Sequence, residues 1–309
     1  MSSFYPKTDK KIKTYYTTME KKTINTVAIT GAGSGLGLDL AIGYAKKGYK
    51  VFGTAISPQE IESIKKNLGS LDITLTVTDI TKEQDVKNWR EIVSSKLRDQ
   101  GLDILVNNAG VLTPGPMEVL ELEAIRKEFE VNVLGSISTI KAFLPSLRKT
   151  KGRIVQIGSL TGLFSLPFSG PSSASKATME SFADVYRIEL KPQGIDFIMV
   201  QPGNMRTGGP AKTAAQLQQI SDAMSQEQRQ LYGDQFEKFS SALNAMQTNG
   251  LDADIAATKI IEISKQIPAP IRVAVGQDAE ELLLMVKQKT DAELDEFKME
   301  VLGLGVLKQ

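Results

Sequence analysis

Neither cysteine nor histidine occurs among the 309 residues. Without cysteine there are no disulfides, no thiol nucleophile and no thiolate metal site. Without histidine the Ser-His-Asp triad, the HExxH zinc site and the commonest neutral-pH general base are all excluded. Any acid–base chemistry is left to Tyr, Lys, Asp, Glu or Ser. Neither sign of charge is in excess: 37 Lys plus Arg stand against 36 Asp plus Glu. Bulk attraction to nucleic acid or to an anionic membrane is therefore not expected. No apolar run reaches the length of a membrane span, and the start lacks the hydrophobic stretch of a signal peptide. The expected location is the cytoplasm.

What is present is an alternation. The first 22 residues are polar and lysine-rich and read as a flexible N-terminal extension. From Thr26 onward, short β-branched runs recur: TVAIT, KVFGT, ITLTV, DILVNN, RIVQI, DFIMV and IRVAV. Helical stretches of ten or more residues separate most of them. Buried strands alternating with amphipathic helices predict an α/β fold with a doubly wound, Rossmann-like, mostly parallel sheet. Residues 23–309 form one expected domain. Between DFIMV and IRVAV the chain is longer than one crossover helix needs. Residues from about 208 to 250 are expected to form a helical insertion that lids the substrate pocket, with an extra helix pair that only packs as the alternative.

The segment TVAITGAGSGLGLDL places Gly31, Gly35 and Gly37 between the first strand and the first helix. Glycines there let the chain turn sharply and let a diphosphate approach backbone N–H groups at the helix start. Further along stand TDIT at 78–81, NNAG at 107–110, Asn132 in VNVLG, Ser159 in IVQIGS, Lys176, and PGNMRT from Pro202 to Thr207.

Taken in order, these motifs resemble the short-chain dehydrogenase/reductase family, in its typical, non-extended branch. The resemblance runs from about Thr26 to Thr207 and implies binding of a nicotinamide dinucleotide. By that likeness Gly31, Ser34, Leu36 and Gly37 line the diphosphate and adenosine ribose. Asp79 bonds the adenine amino group and Ile80 packs on the ring. Asn108, Ala109 and Gly110 lie along the cofactor ribose. Pro202, Gly203, Met205 and Thr207 hold the nicotinamide. Each of these could equally serve structure alone; Asn108, for instance, could tie neighbouring strands. At the end of the second strand an acid favours NAD and an arginine favours NADP. Ala55 and Ile56 are neither, which leaves NADP or NAD open with a slight lean to NADP.

The departure from the family lies in GPSSASKATMESF. The resemblance implies catalytic roles for Asn132, Ser159 and Lys176, together with a tyrosine four residues before the lysine that protonates the carbonyl oxygen. This chain has Ser172 there. A serine hydroxyl is a far weaker acid than a phenol, and its oxygen falls about 4 Å short of the phenol position. Loss of the acid should cost about 10²–10⁴ in rate. Three readings stay open: a tyrosine exchanged to trap an inactive complex, a natural variant with altered or non-redox chemistry, and a non-catalytic sensor or partner. The expected substrate is a small apolar alcohol or ketone, walled by Leu163, Phe164, Leu166, Phe168 and the insertion. The expected assembly is a homodimer or homotetramer, with Phe182, Val185 and Tyr186 available on the outer face of the lysine-bearing helix.

Overall fold

The computed structural model describes residues 26–206 and 209–305, with side chains in the second span from residue 213. The expected N-terminal extension and Thr207 lie outside the described residues. Each of the seven apolar runs becomes a strand of one parallel sheet. In chain order the elements begin β1 (Thr26–Ile29), α1 (Gly35–Lys46), β2 (Lys50–Ala55), α2 (Pro58–Leu68), β3 (Ile73–Val77), α3 (Glu83–Lys96) and β4 (Ile104–Asn107). They continue with α4 (Leu122–Phe129), one π-turn over Glu130–Gly135, α5 (Ser136–Thr150), β5 (Arg153–Ile157), α6 (Gly170–Leu190) and β6 (Asp196–Pro202). A two-residue strand β7 (Met205–Arg206) leads into α7 (Gly209–Ala223) and α8 (Gln226–Thr248). The chain then runs through β8 (Leu251–Asp252), α9 (Ala253–Lys265), β9 (Arg272–Val275), α10 (Gln277–Gln288) and α11 (Asp291–Val301).

The sheet order is β3-β2-β1-β4-β5-β6-β9, every pairing parallel. The order reverses between β1 and β4, so the loops after these two strands diverge and leave a crevice at the carboxyl edge. Strands buried on both faces need apolar side chains throughout, and β4 and β5 are buried at every position. On one face, Leu36, Leu40 and Tyr44 of α1 pack with Ala256 and Ile260 of α9. On the other, Trp89 of α3, Phe143 of α5 and Met179 of α6 close the second layer. The indole of Trp89 meets Phe143 edge-on at 4.8 Å.

The insertion is helical, as expected. A Ser225–Gln228 capping box starts α8, and its Phe236, Phe239 and Leu243 pack with Leu217 of α7 and with Leu302 and Leu304. Leu231 instead faces solvent. Among the described residues no helix is long and apolar enough to cross a membrane.

Candidate active site

The crevice brings together residues far apart in sequence. Gly31 leaves β1 with a positive φ of 66°, a conformation that glycine adopts without strain. Its N–H donates to the Thr54 hydroxyl (2.9 Å). Beside it, the side-chain amide of Asn108 donates to the carbonyls of Thr30 (3.0 Å) and Gly31 (3.3 Å). The Thr30 hydroxyl accepts from the N–H groups of Asn108 and Ala109. Asn108 therefore laces the β4 loop to the β1 loop. A Cβ at Gly37 would lie 2.0 Å from the Gly31 carbonyl oxygen, so α1 can start this close to the loop only with glycine there. Ser34 precedes α1 without capping it, and no acidic residue stands in the first turn. The helix thus presents N–H donors without a competing side-chain acceptor, the donor set a diphosphate needs.

Further along the edge, Asp79 accepts from the N–H and hydroxyl of Thr81 (3.0 and 2.7 Å). Burial alone would raise its pKa, but the Thr81 and Lys82 donors outweigh that and hold it below the usual carboxylate value. Ile80 is buried against Gly135. Gly203 follows β6, its N–H bonded to the Val275 carbonyl (3.0 Å). A Cβ on Gly203 would meet the Asp278 carboxylate, which already accepts from the N–H (2.7 Å) and side chain (3.0 Å) of Asn204.

Asn132 sits in the π-turn between α4 and α5, where the extra residue re-aims the helix. Its side chain pairs with both the N–H (2.9 Å) and the carbonyl (3.0 Å) of Val111, and its amide also reaches the Ser175 hydroxyl (3.0 Å). Lys176, one turn after Ser172 on α6, donates to the Ile157 carbonyl (3.2 Å). A Cβ added to Gly110 would stand 3.2 Å from Asn132 Oδ1 and 3.7 Å from Lys176 Nζ, so a bare backbone separates the two. The Ser159 hydroxyl accepts from the N–H (3.1 Å) and the hydroxyl (2.9 Å) of Thr161. Its own proton is thereby left to donate.

Ser159, Ser172 and Lys176 line a single cavity of about 640 Å³ at the sheet's carboxyl edge. Leu36, Asn108, Gly110, Pro202, Gly203 and Met205 border the same space. Gly31, Ser34, Gly37, Asp79, Ile80 and Ala109 do not line it and stand along the adjoining edge. Of the expected apolar wall, Phe164 and Leu166 face the cavity. Leu163 is exposed, and Phe168 packs against Phe236 and Phe239 instead. From the insertion come Leu243, Met246 and Gln247, and from α10 and α11 come Leu282, Met285 and Phe297.

One group in this site has no counterpart in the motifs read above. Glu128, one turn before Asn132, is completely buried. Its carboxylate accepts from the Thr113 N–H (2.8 Å) and from the Asn132 amide (3.3 Å). Burial pushes its pKa up, against the opposing pull of Thr113, Lys176 and the Ser172 hydroxyl. Burial likewise pushes Lys176 down to about 8, against the attraction of Glu128. A buried acid and a half-buried ammonium therefore flank the place where the family has its phenol. The i, i+4 spacing of Glu128 to Asn132 is the only signal in the sequence that pointed to it.

Residues 25–218 match the model of the family described as short chain dehydrogenase. The 3-amino-tetrahydro-pyrrolizinone reductase of Xenorhabdus hominickii is 32% identical over 279 residues, 89% of this chain and 95% of that protein. A short chain dehydrogenase/reductase of Burkholderia phymatum, solved in complex with NAD, superposes with a TM-score of 0.72 at 22% identity. It is covered to 95%, and this chain to 88%. ElxO with NADP bound superposes with a TM-score of 0.68 at 23% identity, covering 83% of this chain and 99% of that one. The chain belongs to the short chain dehydrogenase family, a family of oxidoreductases.

Proposed function

We propose that the protein binds a nicotinamide dinucleotide along the β1–β4 crevice and acts as an oxidoreductase on a small apolar alcohol or ketone. The observation that carries this reading is the meeting of Ser159, Ser172 and Lys176 on one largely apolar cavity bordered by Gly110 and Pro202. The donor set and the close approach at Gly37 suit the cofactor's diphosphate. Structural neighbours solved with NADP and with NAD support the choice of group. The relative named for reducing a 3-amino-tetrahydro-pyrrolizinone supports reduction as the reaction.

Held in the crevice, the dinucleotide would supply or accept the hydride. The chain's own residues do the rest. Ser159 donates its free proton to the substrate oxygen. Lys176 holds the ribose hydroxyls, and Asn132 fixes the loop at Val111 that passes them. The insertion, α7 and α8, forms the lid, with Leu243 and Met246 of α8 on the substrate wall. Ser172, backed by the Glu128 carboxyl, stands where the proton must be exchanged. The same residues also support a second reading, a dinucleotide-binding protein without redox turnover, because no tyrosine among the described residues lines the cavity. We extend the first reading to a homodimer or homotetramer built on α6.

The test is calorimetric titration with NAD(H) and NADP(H), followed by a panel of lipophilic ketones, sugars and small hydroxy acids. Binding together with turnover of lipophilic ketones is expected. Absence of heat at millimolar nucleotide defeats the cofactor assignment. Turnover of sugars or hydroxy acids alone defeats the substrate assignment.

A further inference from the structure

The end of β2 offers Ala55 and Ile56 to the adenosine end of the crevice, and the Ile56 side chain is largely exposed. The turn that follows nonetheless delivers a carboxylate there. Ser57 caps α2, accepting from the Glu60 N–H (3.2 Å), with Pro58 as the first helical residue. In a capping box the third-position Glu reaches back to the N–H of the cap residue itself. Glu60 reaches further: one oxygen accepts from the Ile56 N–H (2.9 Å) and the other from the Ser34 hydroxyl (2.8 Å). That bond joins α2 to the glycine-rich loop. A Cβ on Gly33 would lie 2.5–2.7 Å from the Glu60 side chain, so the loop accommodates the carboxylate only because residue 33 is glycine.

Glu60 borders a second, open concavity of about 470 Å³ beside Gly33, Ser34, Gly35, Ile56 and Ser57. Among the described residues no lysine or arginine lines it. A carboxylate is acceptor-only, with about two lone-pair sites on each oxygen. The Ile56 and Ser34 donors occupy one site each and leave one on each oxygen. Two adjacent hydroxyls are the complementary donors. A 2′-phosphate has acceptor oxygens and a charge of about −1.5 to −2, so the carboxylate repels it, and no basic group among the described residues of the concavity compensates.

We propose that Glu60 is the residue that selects the adenosine ribose, taking its free hydroxyls and thereby favouring NAD over NADP. The assignment rests on the cofactor reading above and adds a residue on α2, outside the motifs that carry the resemblance. It is tested by calorimetric titration of the full chain with NAD⁺ and NADP⁺, comparing wild type with Glu60→Gln and Glu60→Ala. A hydrogen bond to a charged group corresponds to about 10- to 100-fold in affinity. Wild type should bind NAD⁺ more tightly than NADP⁺ by about that factor, and both variants should shrink the ratio. Circular dichroism reports whether each variant is folded; Glu60→Gln keeps the shape and one acceptor oxygen, so it carries the comparison if Glu60→Ala unfolds. Equal binding of both nucleotides, tighter NADP⁺ binding, or a ratio that Glu60→Gln leaves unchanged overturns the role of Glu60 alone. No binding of either nucleotide overturns the cofactor reading and this assignment with it.

Discussion

Replacing Ser172 with tyrosine asks whether the cavity is a reductase site that lacks only its acid. Ser172 is 9% exposed and opens onto the 640 Å³ cavity, so the ring enters space already present and overpacking is avoided. Ser159 lines the same cavity with an undonated proton, and Lys176 lies one turn on. A positioned general acid contributes about 10²–10⁴ in rate, equivalent to roughly 3–5 kcal/mol of barrier. Two neighbours act on the new phenol in opposite directions. The Lys176 ammonium lowers its pKa, and the Glu128 carboxylate raises it. Ser172→Tyr should therefore raise carbonyl reduction by up to that factor, and adding Glu128→Gln should remove the opposing charge. The assay is the initial rate of reduced-nucleotide consumption over one ketone panel, with calorimetry to show that cofactor binding is kept. A folded variant that binds cofactor but reduces ketones no faster than its parent would refute the reasoning. A fall in the parent's own activity would show that the space serves a different substrate or a water.

Two further outcomes follow from the buried charges and the outer face of α6. The Lys176 ammonium titrates near pH 8 in the fold but near its ordinary 10.5 when unfolded, so between these values the unfolded chain holds the extra proton. Stability from this group is then gained as pH rises through that window. The urea midpoint of wild type should gain on that of Lys176→Met between about pH 8 and 10, and a constant difference would contradict the burial of this ammonium. On α6, Val185 and Ile188 are 49% and 68% exposed and Phe182 is 37% exposed, an apolar stripe suited to a two-fold contact. Light scattering should give a dimer or tetramer that Val185→Glu converts to monomer; a monomeric wild type at micromolar concentration counts against the assembly.

The strands were legible because parallel strands buried on both faces must be apolar along their whole length, and RIVQI and DFIMV can be little else. Right-handed crossovers put helices on both faces and the carboxyl ends on one edge, whereas the strand order is read from the pairing itself. Ser172 and Lys176 stood out by their likeness to the family's motif; their four-residue spacing puts both on one face of α6, and both line the cavity. Tyr186, nearly three turns on, stacks on Phe197 at 5.8 Å and does not line the cavity. Less legible was the wall of the pocket. Leu163 and Phe168 have the same composition as Phe164 and Leu166, and only the three-dimensional path of the loop after Ser159 separates them. The contribution of α10 and α11 depends on contacts between segments over a hundred residues apart, which periodicity cannot report.

The two carboxylates mark where local reading stops. Ser57-Pro58-Gln59-Glu60 reads as a helix start, and that reading is correct as far as it goes. The bond from Ser34 to Glu60 spans 26 residues and exists because β1 and β2 pair in parallel, carrying both loops to one edge. Glu128 reads as a polar residue on an amphipathic helix, yet it is buried. An isolated buried carboxylate costs several kcal/mol unless it is paired and hydrogen-bonded. Its partners Thr113, Asn132, Ser172 and Lys176 come from three separate segments. If the site is a charge arrangement built around Ser172, this acid takes part in its turnover. On that view Glu128→Gln in the wild-type background should impair whatever turnover the serine form has while leaving dinucleotide affinity intact, and this separates a working serine site from an inert one.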